Sequence, residues 1–123
     1  MIFGVGVDII EIDRIQKAID RWGKQFLNHV FTSDEIAYAQ QHKFSTQHFA
    51  ARFAAKEAIF KAIGNIPHIG WKDIEIYKDK FGKPHCDLKV KDFKHQILIS
   101  ISHTHNYAVA SAIITSKTKR VQK

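Results

Sequence analysis

The period of the hydrophobic pattern changes several times along the chain, and each change marks a boundary. "IFGVGVD", from Ile2 to Asp8, reads as a short strand in which Gly4 and Gly6 remove side chains where another backbone can approach. From roughly Glu11 to Phe26, the residues Ile12, Ile15, Ile19, Trp22 and Phe26 recur at spacings of three and four, the buried stripe of a helix. Another face of that helix carries Arg14, Lys17 or Ala18, Arg21 and Gln25, a basic ridge. "FTSDEIAYAQQH" opens a second helix, because Thr32 with Glu35 three residues on makes a capping box. A third runs roughly from His48 to Ile63 and is stopped by Gly64 and then Pro67. "DIEIYKD" and "HCDLKVK", joined through "KFGKP", predict a β-hairpin. "HQILISISH" alternates strictly, with Ile97, Ile99, Ile101 and His103 on one face, and "YAVASAIIT" returns after a "THN" turn. The expectation is a single α+β domain over residues 1–123, one antiparallel sheet packed with helices, with a basic tail from about residue 116.

Composition narrows the class. No apolar run approaches the ~20 residues needed to span a bilayer, and the opening segment lacks a basic leader and is interrupted by Asp8. The single cysteine, Cys86, excludes an internal disulfide framework and fits a reducing compartment. A cytoplasmic protein is therefore expected. With 19 Lys and Arg against 12 Asp and Glu, the surface attracts polyanions: nucleic acid, a phosphorylated small molecule or an acidic protein.

The segment "ARFAAKEAIFKAIG" carries the chemistry of interest. At ~100° per residue, Phe53, Glu57, Lys61 and Gly64 share one quadrant, and Ala51, Ala54, Ala55, Ala58 and Ala62 occupy another suited to close packing. Read structurally, Glu57 and Lys61 are an i, i+4 pair, while Arg52 and Lys56 are solvated charges. Asp8, read the same way, caps the following helix. The functional alternative has Asp8 and Glu57 meeting in space, where two carboxylates beside cations suit Mg²⁺ and a phosphate ligand. His103 is either a polar cap on the core or a ligand-binding group. A zinc site can be drawn from His103, His105, His85 and Cys86, but no CxxC or HExxH spacing supports it. "GVGVD" lacks the third glycine and βαβ context of a dinucleotide fingerprint, and there is no Walker A motif. Ser102 and His103 point to opposite faces of a strand and do not form a nucleophile–base pair.

Three segments together, "VGVDIIEIDRI", "ARFAAKEAIFKAIG" and "ISISHTHNYAVA", closely resemble the signature blocks of the holo-[acyl-carrier-protein] synthase family, the single-repeat class of 4′-phosphopantetheinyl transferases. "FTSDEIAYA", "GWKDIEI" and "GKP" extend the resemblance over nearly the whole chain. It implies transfer of phosphopantetheine from coenzyme A to a serine of apo acyl carrier protein, releasing adenosine 3′,5′-bisphosphate, in support of fatty acid biosynthesis. It also implies Mg²⁺ held by Asp8 and Glu57, coenzyme A phosphates met by Lys61, and a coenzyme A site including Arg52, His103 and Gly64. Arg14 and Arg21 would face the acidic carrier, helped by Phe26 and Phe53, so that binding weakens with salt. The serine proton would pass to Glu57, or to solvent on the cation oriented by Asp8. The family forms homotrimers with active sites between subunits, which makes the Gly4–Gly6 strand and the alanine face candidates for subunit contact. One departure is "GNIPHIGW", where Pro67 and His68 replace a longer glycine-rich stretch and leave phosphate contacts from that loop open. The resemblance calls for neither nucleic acid nor membrane. The competing reading, a non-catalytic nucleic-acid-binding module, has aromatics at core periodicity and no RNP or KH motif against it.

Overall fold

The structure, a computed structural model, describes residues 1–64 and 68–117. Pro67 and the tail beyond Lys117 lie outside the described residues. The elements run β1 (Ile2–Glu11), α1 (Ile12–Trp22), α2 (Lys24–Val30), α3 (Ser33–Gln40), α4 (Ser45–Ile63), a 3₁₀ turn (Trp71–Asp73), β2 (Ile74–Lys78), β3 (Pro84–Leu88), β4 (His95–His103) and β5 (Tyr107–Ser116). The architecture is α+β, but the strands form two antiparallel sheets rather than one. One has the order β1-β5-β4, and the hairpin β2-β3 stands apart.

Small residues decide how the main layers meet. Central β5 turns Ala108, Ala110, Ala112 and Ile114 inward. Above them α4 presents Ala51, Ala54, Ala55, Ala58 and Ala62, all buried. Contact is closest at the β1 edge. A Cβ on Gly4 would lie 1.9 Å from the Ala62 carbonyl oxygen, and one on Gly6 would lie 2.0 Å from that of Ala58. The backbone that Gly4 and Gly6 admit by lacking side chains is thus that of α4. The opposite side of the sheet is apolar yet uncovered, with Phe3, Val5, Val7 and Ile9 of β1 and Leu98 of β4 exposed.

Three local expectations change. The first helix breaks at Gly23, whose φ of 54° ends α1 and starts α2. With the helix ending there, Trp22 leaves the buried stripe; it is 53% exposed, with the Arg21 guanidinium 4.9 Å from its ring centroid. Asp8 is not a cap, because β1 continues to Glu11. The N–H of Ile12 is satisfied instead by the Asn106 carbonyl at 2.9 Å. The capping box of Thr32 and Glu35 does form, with both reciprocal hydrogen bonds in place.

Glu35 does more than cap. Its Oε1 also accepts from Lys56 Nζ at 2.6 Å, and its Oε2 accepts from the Ile76 N–H at 2.7 Å. Lys56, fully buried and not solvated, donates its other two hydrogens to the carbonyls of Val30 at 2.8 Å and Trp71 at 3.0 Å. Three donors meet three acceptors, so α2, α3, α4 and the 3₁₀ turn are joined at one ammonium group, and β2 is tied in through Glu35. Burial lowers the pKa of Lys56 and the Glu35 carboxylate opposes that shift. Removing one partner of such a pair strands the other. Lys56→Met is expected to cost about 3–5 kcal/mol in urea unfolding, whereas Lys17→Met, which breaks an exposed i, i+4 pair with Asp13, should leave the midpoint unchanged.

Candidate active site

The tight seat of β1 on α4 brings separate charges together. Asp8 follows Gly6 on the inward face of β1, and Lys61 precedes Ala62 on α4. Lys61 Nζ lies 3.1 Å from Asp8 Oδ1 and donates to the Val7 carbonyl at 3.1 Å. Asp8 is largely enclosed, its side chain 14% exposed, whereas Lys61 stays half in solvent. Glu57 sits one turn before Lys61. Its pKa is raised, first by burial and then by the Asp8 carboxylate, with Lys61 acting in the opposite direction. The two acids are therefore near enough for the Asp8 charge to disfavour ionisation of Glu57, while the Lys61 ammonium favours it.

Such a donor set fits a small hard cation. Two carboxylates supply charge, and among the described residues no three or more His, Cys, Asp or Glu side chains are placed to hold a metal ion between them. Coordination beyond Asp8 and Glu57 would come from water and an anionic ligand, the preference of Mg²⁺. A raised pKa also makes Glu57 a better proton acceptor than an ordinary carboxylate.

A second cluster lies on the other flank of α4. Arg52, His103, His48, Lys78, Gly82 and Pro84 line a cavity of about 100 Å³. Arg52 is only 2% exposed, yet among the described residues it has no carboxylate partner. Its Nη1 reaches the His48 carbonyl at a long 3.5 Å, and its buried Nε has no hydrogen-bond partner among those residues. His48 is held neutral, its pKa pulled down to about 4 by burial and then by His42, Arg52, Lys78 and His103. A cationic cavity with spare N–H donors is built for an anion.

The cavity wall is held from below. Asp79 Oδ1 accepts from the N–H groups of Phe81 at 2.8 Å and Lys83 at 3.0 Å, and its Oδ2 pairs with His85 Nε2 at 2.8 Å. This fixes the turn in which Gly82 takes a φ of 82°. Sequence reasoning missed Asp79, His48 and Lys78. An aspartate opening a glycine turn is a readable signal for the first, but nothing in the pattern marks the other two.

The expected site residues thus divide. Asp8, Glu57 and Lys61 converge at the β1 edge, and Arg52 and His103 converge toward β4. Arg52 and Glu57 are five residues apart on α4, about 140° around the helix. Because β5 separates β1 from β4, the two groups border strands about 10 Å apart. Gly64, at a φ of 80°, caps α4 and faces open space. Arg14 and Arg21 are exposed on α1. Phe26, partly buried, lines a shallow cavity of about 270 Å³ with Trp22, Gln25 and His29. Phe53 stacks on Trp71 with ring centroids 5.1 Å apart.

Comparison with known proteins places the chain in a family. Residues 4–112 match the 4′-phosphopantetheinyl transferase superfamily. The chain is 46% identical to the holo-[acyl-carrier-protein] synthase of Thermodesulfovibrio yellowstonii over 94% of its own length and 100% of the relative's. Its fold is similar to the holo-(acyl-carrier-protein) synthase of Bacillus anthracis in complex with CoA (3′,5′-ADP), with TM-score 0.84, 37% identity, and 95% and 99% of the two chains covered. It is also similar to the Helicobacter pylori enzyme in complex with coenzyme A, with TM-score 0.80, 30% identity, and 90% and 99% covered. The chain belongs to the holo-[acyl-carrier-protein] synthase family of the 4′-phosphopantetheinyl transferase superfamily, and is an enzyme of that transferase class.

The Glu57 environment gives a stability signature. Its folded pKa lies above the unfolded value near 4.5, so the folded chain holds the proton longer and stability falls as pH rises through the folded pKa. In chelator, Glu57→Gln should match wild-type melting at pH 4 and melt higher at pH 7.5. A difference independent of pH would contradict the assigned repulsion.

Proposed function

We propose that the chain transfers 4′-phosphopantetheine from coenzyme A to a serine hydroxyl of apo acyl carrier protein, releasing adenosine 3′,5′-bisphosphate. The observation that carries this reading is the meeting of Asp8, Glu57 and Lys61, from sequence blocks about 50 residues apart, in a chain whose relatives bear that enzyme's name. The serine oxygen attacks the phosphorus bearing pantetheine, and the bond from that phosphorus to the nucleotide's phosphate oxygen breaks. Glu57 takes the serine proton. Lys61 neutralises phosphate oxygens as charge develops on them. Asp8 and Glu57 would hold Mg²⁺, which supplies Lewis-acid stabilisation of the diphosphate. Arg52 and His103 bind coenzyme A through its remaining negative charge, and Gly64 leaves room for the ligand at the end of α4.

The carrier docks on α1. Arg14 and Arg21, two turns apart on one exposed face, meet carboxylates of the acidic partner, and Phe26 and Phe53 give apolar contact. The working form is a homotrimer with active sites between subunits. Two features support it: the uncovered apolar face of the larger sheet, where Val5 is 63% and Ile9 65% exposed, and the division of site residues between its two edges. A neighbour's β4 edge brought against the β1 edge would join Arg52 and His103 to Asp8, Glu57 and Lys61. The reaction serves fatty acid biosynthesis in the cytoplasm; no helix among the described residues is long and apolar enough to cross a membrane.

The test is incubation with apo acyl carrier protein, coenzyme A and Mg²⁺, followed by mass spectrometry of the carrier. Wild type should add one phosphopantetheine, and Asp8→Ala and Glu57→Ala should each lose about 10²–10³-fold in rate, the cost of removing one preorganised electrostatic group. An unmodified carrier beside an active control enzyme would reject the reading.

A further inference from the structure

Arg52 stands between two cavities of opposite character. On one side is the cationic pocket with His48, Lys78 and His103. On the other is a cavity of about 330 Å³ lined by the carboxylates of Asp34, Glu35 and Glu75 with Tyr38 and Tyr77, and bordered, like the first, by Arg52 and Lys78. A buried guanidinium next to a space lined by carboxylates would normally turn toward them, and would then be neutralised and lost to an incoming anion. It does not do so here. Its Cζ lies 4.3 Å from the ring centroid of Tyr38, in cation–π contact, and no ion pair forms to Asp34, Glu35 or Glu75.

Tyr38 is itself clamped. The His48 ring meets it edge-on at 5.6 Å, and the His42 ring lies 4.6 Å from it and 4.0 Å from His48. One ring nitrogen of His42, Nδ1, is 2.8 Å from the Tyr38 carbonyl oxygen. A ring fixed on α3 can hold a guanidinium in place while leaving its N–H donors free, which a carboxylate partner cannot do.

We infer that Tyr38 is a positioning residue for coenzyme A binding: its ring keeps the Arg52 guanidinium aimed into the His103 cavity and away from the carboxylates of α3 and β2. This rests on the proposed transfer reaction and adds to it a residue that touches no substrate. Because the chemistry lies at Asp8 and Glu57, loss of the ring affects binding rather than turnover.

The test measures kcat and KM for coenzyme A, with calorimetric Kd for coenzyme A alone, in wild type, Tyr38→Phe, Tyr38→Leu, Arg52→Ala and the Tyr38→Leu/Arg52→Ala double variant. Tyr38→Leu should raise KM and Kd about tenfold with kcat within about twofold of wild type. Tyr38→Phe, which keeps the ring, should restore wild-type values. In the Arg52→Ala background Tyr38→Leu should add nothing, because the ring acts only through the guanidinium. If Tyr38→Leu does not fold, ring-fluorinated phenylalanine at position 38 keeps the shape while weakening the π face, and should raise Kd with each added fluorine. Equal effects of Phe and Leu, an additive double variant, or a Kd insensitive to fluorination would overturn the inference. Wild type that is active while Tyr38→Leu behaves identically removes this inference alone. Wild type that neither binds nor uses coenzyme A removes the functional reading with it.

Discussion

The site depends on how closely one strand lies on one helix. Any side chain at Gly4 or Gly6 would overlap the carbonyl oxygens of Ala62 and Ala58, so β1 and α4 meet backbone to backbone. Asp8 comes next on the inward face of β1, while Glu57 and Lys61 are the immediate neighbours of Ala58 and Ala62. The geometry that seats the strand thereby brings an acid from one end of the chain within 3.1 Å of an ammonium from its middle. Larger residues at the contact would push the layers apart by about 1 Å or more, enough to break the 3.1 Å contact of Lys61 with Asp8.

The cations of α4 show how one helix serves several purposes. Lys56 is structural, completing a buried network with Glu35 that joins five elements. Lys61 is half exposed and addresses Asp8. Arg52 is buried like Lys56 but lacks its acceptors, resting on an aromatic ring with a donor unused. A satisfied buried charge reads as architecture. An unsatisfied one at the lip of a cavity reads as a place for a ligand.

Much of this was legible in the chain. Strict alternation in β4 located its inward isoleucines, Thr32 and Glu35 announced a helix start, and the resemblance of three blocks pointed to Asp8, Glu57, Lys61, Arg52 and His103 before any geometry. What escaped notice depends on depth and partners, which a periodic pattern does not encode. Lys56 shares its periodicity with solvated residues, and only the carbonyls of Val30 and Trp71 reveal its burial. Trp22 fits the apolar stripe until Gly23 takes a positive φ and ends the helix. Asp8 looks like a cap because the strand's true end at Glu11 is set by pairing with Tyr107, far along the chain.

We propose that Asp8 and Glu57 jointly hold a divalent cation against a nucleotide's linked phosphates. Electron paramagnetic resonance of Mn²⁺ titrated into the protein with saturating coenzyme A tests this most directly. Wild type should bind one Mn²⁺ per subunit, displaced by Mg²⁺, and Asp8→Asn and Glu57→Gln should each bind it at least tenfold more weakly. Undiminished Mn²⁺ binding in both variants would contradict it.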